Sequence, residues 1–146
     1  MTPAIDLKEN GCLEEIRLVL AHAGERRFAR TQWTDHRVQH WVLDSIARGR
    51  QTERVGDEAP FERTSGLLTL YAPRTPYFER EAAGQVVEEA YMVFSVSGHL
   101  ESILCALTSP AGYCHIRDPE SLVTVLLQRI SRTARVGGVG ANLQVT

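Results

Sequence analysis

Lysine is almost absent from this chain: Lys8 is the only one, and arginine supplies the rest of the sixteen basic residues. Eighteen acidic residues bring the formal net charge to −2, so no positive field covers the whole surface to attract a phosphate backbone. Cysteine is scarce as well. Cys12, Cys105 and Cys114 are odd in number and lack CxxC spacing, which argues against a disulfide framework and against a zinc site and leaves them as buried or inert thiols. No apolar run approaches the roughly 20 residues of a membrane helix. Asp6, Glu9, Glu14 and Glu15 interrupt any basic segment followed by an apolar core, so the first residues do not read as a secretory signal and a cytoplasmic location is expected. G-x-S-x-G, G-x-G-x-x-G and G-x-x-x-x-G-K are all missing, which removes the usual starting points for a hydrolase or a nucleotide-binding protein.

What is present is an ordinary globular composition, 43% hydrophobic and 23% charged over 146 residues, enough for one domain with a single core. Leu13, Ile16 and Leu20 recur at three- and four-residue spacing, with Glu14 and Glu15 ahead of them and Gly24 placed as a C-cap; that pattern predicts an N-terminal helix. From Arg26 onward short stretches rich in Phe, Trp, Val and Thr alternate with Gly, Asp and Pro. Seven strands follow from this pattern, at about 28–33, 39–48, 51–55, 58–63, 67–72, 75–80 and 86–96. Connections this short exclude parallel neighbours, so the fold expected is an antiparallel barrel or jelly roll. The segment 51–63 reads as a hairpin turning at Gly56-Asp57 and forming a solvated outer ribbon.

After Gly98 the apolar period becomes helical. Leu100, Ile103, Leu104 and Leu107 form one stripe, and Leu122, Val123, Leu126, Leu127 and Ile130 form another behind the N-cap Asp118 and Pro119 at the first helical position. The organisation expected is an N-terminal segment and helix over 1–25, a barrel over 26–97, helices over 98–133 and a flexible linker or tail over 134–146.

Five histidines, His22, His36, His40, His99 and His115, raise the question of a metal. Barrel metal sites commonly draw on His-x-His, which does not occur here, and four-residue spacing along one strand would separate His36 from His40 by about 13 Å. No metal and no other cofactor is therefore expected. Strand alternation places Trp41, Leu43 and Ser45 on one face, with Val42, Asp44 and Ile46 on the other. In the last strand Glu89 and Tyr91 share a face with Val87 and Val93, opposite a plain apolar face of Ala90, Met92 and Phe94. A carboxylate beside a ring suits a small polar ligand.

Three stretches carry a resemblance: His40-Trp41-Val42-Leu43 through Ala47-Arg48-Gly49, Gly66-Leu67-Leu68-Thr69-Leu70-Tyr71-Ala72-Pro73-Arg74-Thr75-Pro76, and Ala90-Tyr91-Met92-Val93-Phe94-Ser95. In their order and spacing, residues from roughly Asp35 to Ile130 resemble the N-terminal effector-binding and dimerisation domain of AraC-type transcription factors, a cupin-like barrel followed by helices. The chain departs from that pattern at Leu67, where Asp is usual, at Arg74, where Gly is usual, and at Tyr77, where a histidine is common. The resemblance implies pocket residues at Arg37, Glu89 and Tyr91, to which the facing argument adds His40, Trp41 and Tyr77. It further implies a small-molecule effector, a sugar or another small polar metabolite, and a homodimer built through the C-terminal helices. DNA contact would be made only by a helix-turn-helix domain that these residues do not contain. On this reading the chain is not an enzyme; the alternative is a small cupin enzyme acting on a sugar or keto acid with Glu89 as acid or base.

Overall fold

The computed structural model describes residues 17–136 and the backbone of 144–145. Its strands are β1 (Leu18–Phe28), β2 (Thr34–Arg37), β3 (Trp41–Arg48), β4 (Arg50–Val55), β5 (Phe61–Thr64), β6 (Leu67–Tyr71), β7 (Pro76–Arg80) and β8 (Val87–Val96). They are followed by α1 (His99–Leu107), β9 (Tyr113–Arg117), α2 (Leu122–Val136) and β10 (Gln144–Val145). One antiparallel sheet runs β10-β1-β8-β3-β6-β9 and a second runs β2-β7-β4-β5. Val42 and Tyr71 of the first pack with Val55 and Tyr77 of the second, so the sheets face each other as in a barrel or jelly roll. The mainly β, antiparallel fold expected from the sequence is the one observed.

The N-terminal helix is not. Residues 13–16 lie outside the described residues, and 18–28 form a strand paired with β8 along its whole length. The register shifts between Leu20 and His22, a bulge that leaves Leu20 and Ala23 both buried on the face of Phe94 and Met92, away from the barrel interior. Of the predicted stripe Leu13, Ile16 and Leu20, Leu20 alone is among the described residues, and it lies in this strand. Gly24, expected as a helix cap, is mid-strand opposite Tyr91, where an added Cβ would stand 2.6 Å from the Tyr91 hydroxyl oxygen. The first predicted strand, 28–33, is also displaced: β1 ends at Phe28 and β2 begins at Thr34.

The β4–β5 hairpin forms, but it is neither tight nor solvated. Its last pair is Glu53 with Phe61, so the connection is longer than two residues, and Gln51, Glu53, Val55 and Arg63 point into the barrel and are buried. Polar alternation here marks a polar interior rather than a wet outer face.

Both helices lie where expected. Leu104 of α1 covers the outer face of the large sheet at Trp41, Leu70 and Phe94. α2 packs on β1 and β8, burying Thr124, Leu127 and Ser131. Its start is later than predicted. Ser121 takes a positive φ of 54°, so Pro119 and Glu120 lie in a turn before the helix, and Asp118 caps across that turn by accepting the N–H groups of Val123 at 3.2 Å and Thr124 at 3.1 Å. Of the predicted tail, 137–143 lie outside the described residues, while Gln144 and Val145 pair with Val19 and Leu18.

Candidate functional site

A cavity of about 380 Å³ opens between the two sheets. Strand parity decides its lining. β3 and β8 pair with Val42 opposite Val93, Asp44 opposite Tyr91 and Ile46 opposite Glu89. Val42, Asp44, Glu89, Tyr91 and Val93 all line the cavity. From the other sheet β7 adds Tyr77 and Glu79, and β2 adds His36. His22 and Arg26 of β1 and His40, in the bend before β3, complete the polar rim.

Four of the six sequence-predicted residues, His40, Tyr77, Glu89 and Tyr91, therefore meet at one cavity. Two do not. Trp41 pairs with Phe94 and is buried on the opposite face of the large sheet, beneath α1; alternation within one strand separates two faces but does not say which is the interior. Arg37 follows the inward His36 along β2 and is exposed, outside the cavity. His36 and His40 are also corrected: they do not share a strand, because β2 ends at Arg37, and both reach the cavity.

Asp44 and Glu79 were missed. Asp44 was placed among apolar neighbours on the face opposite the presumed pocket, yet a carboxylate in mid-strand between Val42 and Ile46 is itself the signal of a polar interior. Glu79 shares strand parity with Tyr77, and the same rule that selected the tyrosine would have selected it.

Behind the cavity the barrel holds a chain of buried ions. Arg63, wholly buried, places Nη1 3.1 Å from Asp44 Oδ2 and 3.0 Å from Glu53 Oε2. The first contact is a hydrogen bond and the second an ion pair without hydrogen-bond alignment. Arg63 also donates to the Asp44 carbonyl at 3.0 Å and to Gln51 Oε1 at 3.3 Å. Gln51 passes the network on to Glu81 at 3.2 Å, and Arg30 joins Glu81 to Glu79. His36 Nε2 lies 3.2 Å from Glu79 Oε2. The Tyr71 hydroxyl donates to Glu53, and the Tyr71 ring stacks on Tyr77 with centroids 3.9 Å apart.

Carboxylates outnumber nearby guanidinium groups, and their proton affinities follow. Burial pushes Asp44 up to about 6 even though Arg63 opposes it. Burial, reinforced by the charges of Asp44 and Glu79, holds Glu89 well above the ordinary carboxylate range. Burial also acts upward on Glu79, but His36, Arg63 and Arg30 outweigh it and keep that group low. Of the carboxyl groups that line the cavity, Asp44 Oδ1 and Glu89 Oε2 have no hydrogen-bond partner among the described residues. At the rim Tyr91 is held by His22 Nε2 at 2.6 Å and accepts from Arg26 Nε at 3.0 Å.

Asp44, Glu79 and Glu89 bring one carboxylate oxygen each within 4.8 Å of one another, a donor set of the kind that holds a cation. No histidine belongs to a convergent group of three such donors among the described residues, so a histidine-rich cupin metal centre does not fit this interior. The arrangement can bind a polar ligand, exchange a proton with it, and offer ring surface to its apolar part.

No family model and no curated protein matches this chain. Among solved structures it is similar to the AraC-like transcriptional activator CuxR, at 17% sequence identity and a TM-score of 0.31 over 90% of this chain and 53% of that one. The chain thus spans about half the length of that activator. A likeness at this level does not bear on what the present chain does.

Proposed function

We propose that this chain is the ligand-sensing and dimerisation domain of a cytoplasmic, bacterial AraC-type transcriptional regulator, binding a small polar effector inside the barrel. DNA would be contacted by a separate helix-turn-helix domain. The observation that carries the reading is the cavity of about 380 Å³, within the range of small-molecule sites and lined by buried carboxylates beside tyrosine rings. A purely structural module would fill that space with side chains. Sequence resemblance over the barrel and helices supplies the regulatory context. None of the described helices is long and apolar enough to cross a membrane.

The helices present unburied apolar side chains of the kind a two-fold contact covers: Ile103 and Leu107 on α1, Leu122, Val125 and Leu126 on α2. Effector binding would act by differential affinity for the ways a dimer can present its readers. Thermal-shift screening of sugars, aromatic acids and amines is expected to yield a stabilising ligand, and sedimentation at micromolar concentration a dimer. A sharp monomer that no compound stabilises would count decisively against the reading.

One observation favours a second reading, a small cupin enzyme acting on a sugar or keto acid. Glu89 is buried and holds its proton tightly beside the ionised Glu79, two carboxyl groups whose environments push them apart as in acid–base pairs. Stoichiometric metal in protein purified without chelators, together with turnover of such a substrate, would favour it.

A further inference from the structure

We propose that the cavity takes a small organic ammonium ion, its N–H groups shared between Asp44 Oδ1 and Glu89 Oε2 and its carbon body lying beside the Tyr77 and Tyr91 rings. The proposal deepens the sensing reading and rests on it.

Four observations converge. Glu89 is 5% exposed and Asp44 3%, each faces the cavity, and each has a carboxyl oxygen without a hydrogen-bond partner among the described residues. An orphaned buried acceptor is destabilising, more so when charged, and a donor from the ligand offsets that penalty. The nearby cations are already committed. Arg63 is bound to Asp44 Oδ2, Arg30 to Glu79 and Glu81, and Arg26, the cross-strand neighbour of Glu89, is turned onto Tyr91 with its guanidinium carbon 4.4 Å from the ring centroid.

A positively charged donor suits this set: burial otherwise keeps a proton on Glu89 beside Asp44, and a bound cation takes that proton's place between the two carboxyl groups. A sugar hydroxyl supplies a donor but no charge to replace that proton; a carboxylate ligand adds repulsion. A hard divalent ion takes about six or more oxygens, whereas two are open here and Glu79 Oε2 already faces His36 and Arg30. The cavity, about 380 Å³, is also many times the roughly 30 Å³ of a single water and has room for a carbon skeleton. An ammonium group brings three donors and one charge, and the tyrosine rings favour an adjacent cation or an apolar body.

The test compares isosteric pairs on the wild-type chain by calorimetry: tyramine against 4-hydroxyphenethyl alcohol, and putrescine against 1,4-butanediol. L-arabinose, 4-hydroxybenzoate and manganese(II) serve as neutral, anionic and metal probes. We expect one amine to bind at least about tenfold more tightly than its alcohol, since charge-assisted hydrogen bonds exceed neutral ones by that margin. Glu89→Gln, with its circular dichroism unchanged, should abolish the difference. Binding of arabinose, hydroxybenzoate or manganese without any amine overturns the ammonium assignment and leaves a ligand-binding barrel standing. Amine binding that Glu89→Gln does not alter also overturns it. Failure of every probe overturns both readings. The paired comparison needs no variant, so the outcome remains decisive if Glu89→Gln does not fold.

Discussion

Arg63 Nη1 lies 3.1 Å from Asp44 Oδ2, and both side chains are inside the barrel and out of water. Glu53 stands 3.0 Å from the same nitrogen, so one cation holds two carboxyl groups in a space that an ordinary sandwich would fill with leucine and valine. Polar interiors of this kind cost desolvation.

Arg63→Met would leave Asp44 and Glu53 buried without their cation. The expected loss is about 3–5 kcal/mol of unfolding free energy in urea titration, because an uncompensated buried charge costs more than the pair contributed. Adding Asp44→Asn and Glu53→Gln to the same chain should recover part of that loss. A single variant within about 0.5 kcal/mol of wild type would mean that the network is not formed.

Stability should rise on mild acidification. Folding raises Asp44 from 3.8 to about 6 and Glu53 from 4.5 to about 7, burial being the main cause in each. Between those limits the folded chain binds more protons than the unfolded one, so unfolding free energy falls as pH rises through the window, by something on the order of 1–3 kcal/mol. Glu79 is shifted the other way, and its contribution is lost as pH drops below the ordinary carboxylate value of 4.5. A melting temperature highest near pH 5 and lower at pH 7.5 is expected. A flat or rising profile from pH 5 to 7.5 contradicts it.

Arg74 sits at φ 63°, in the left-handed region, at the corner where glycine is usual in the family this segment resembles. Arg74→Gly removes the Cβ strain and adds unfolded-chain entropy, for a net gain of up to about 1 kcal/mol. Destabilisation by that substitution would show that the Arg74 side chain holds the corner.

Gly24→Ala sets a Cβ 2.6 Å from the Tyr91 hydroxyl oxygen, which must then leave its place between His22 and Arg26. Because that ring forms one wall of the cavity, ligand affinity should fall about tenfold or more, while the paired strand survives with a cost of about 1–2 kcal/mol. Calorimetry with the best ligand from the screen, beside a melting curve, separates the two effects; unchanged affinity would remove Tyr91 from the site.

The antiparallel class, the order of strands from Trp41 to Val96, both later helices and the shared face of Glu89 and Tyr91 were legible in the sequence, because those follow from local period, turn residues and short connections. Pairing across strands decided the rest. The apolar spacing that ends at Leu20 reads locally as a helix, and only pairing with β8 along 18–28 makes that segment a strand. Parity within β3 could not tell the barrel interior from the face under α1, and only the register of Trp41 with Phe94 and of Asp44 with Tyr91 sent the tryptophan out and the carboxylate in. The group formed by Asp44, Glu79 and Glu89 draws on three strands and two sheets, and contacts between residues so far apart in the chain leave no local pattern to read.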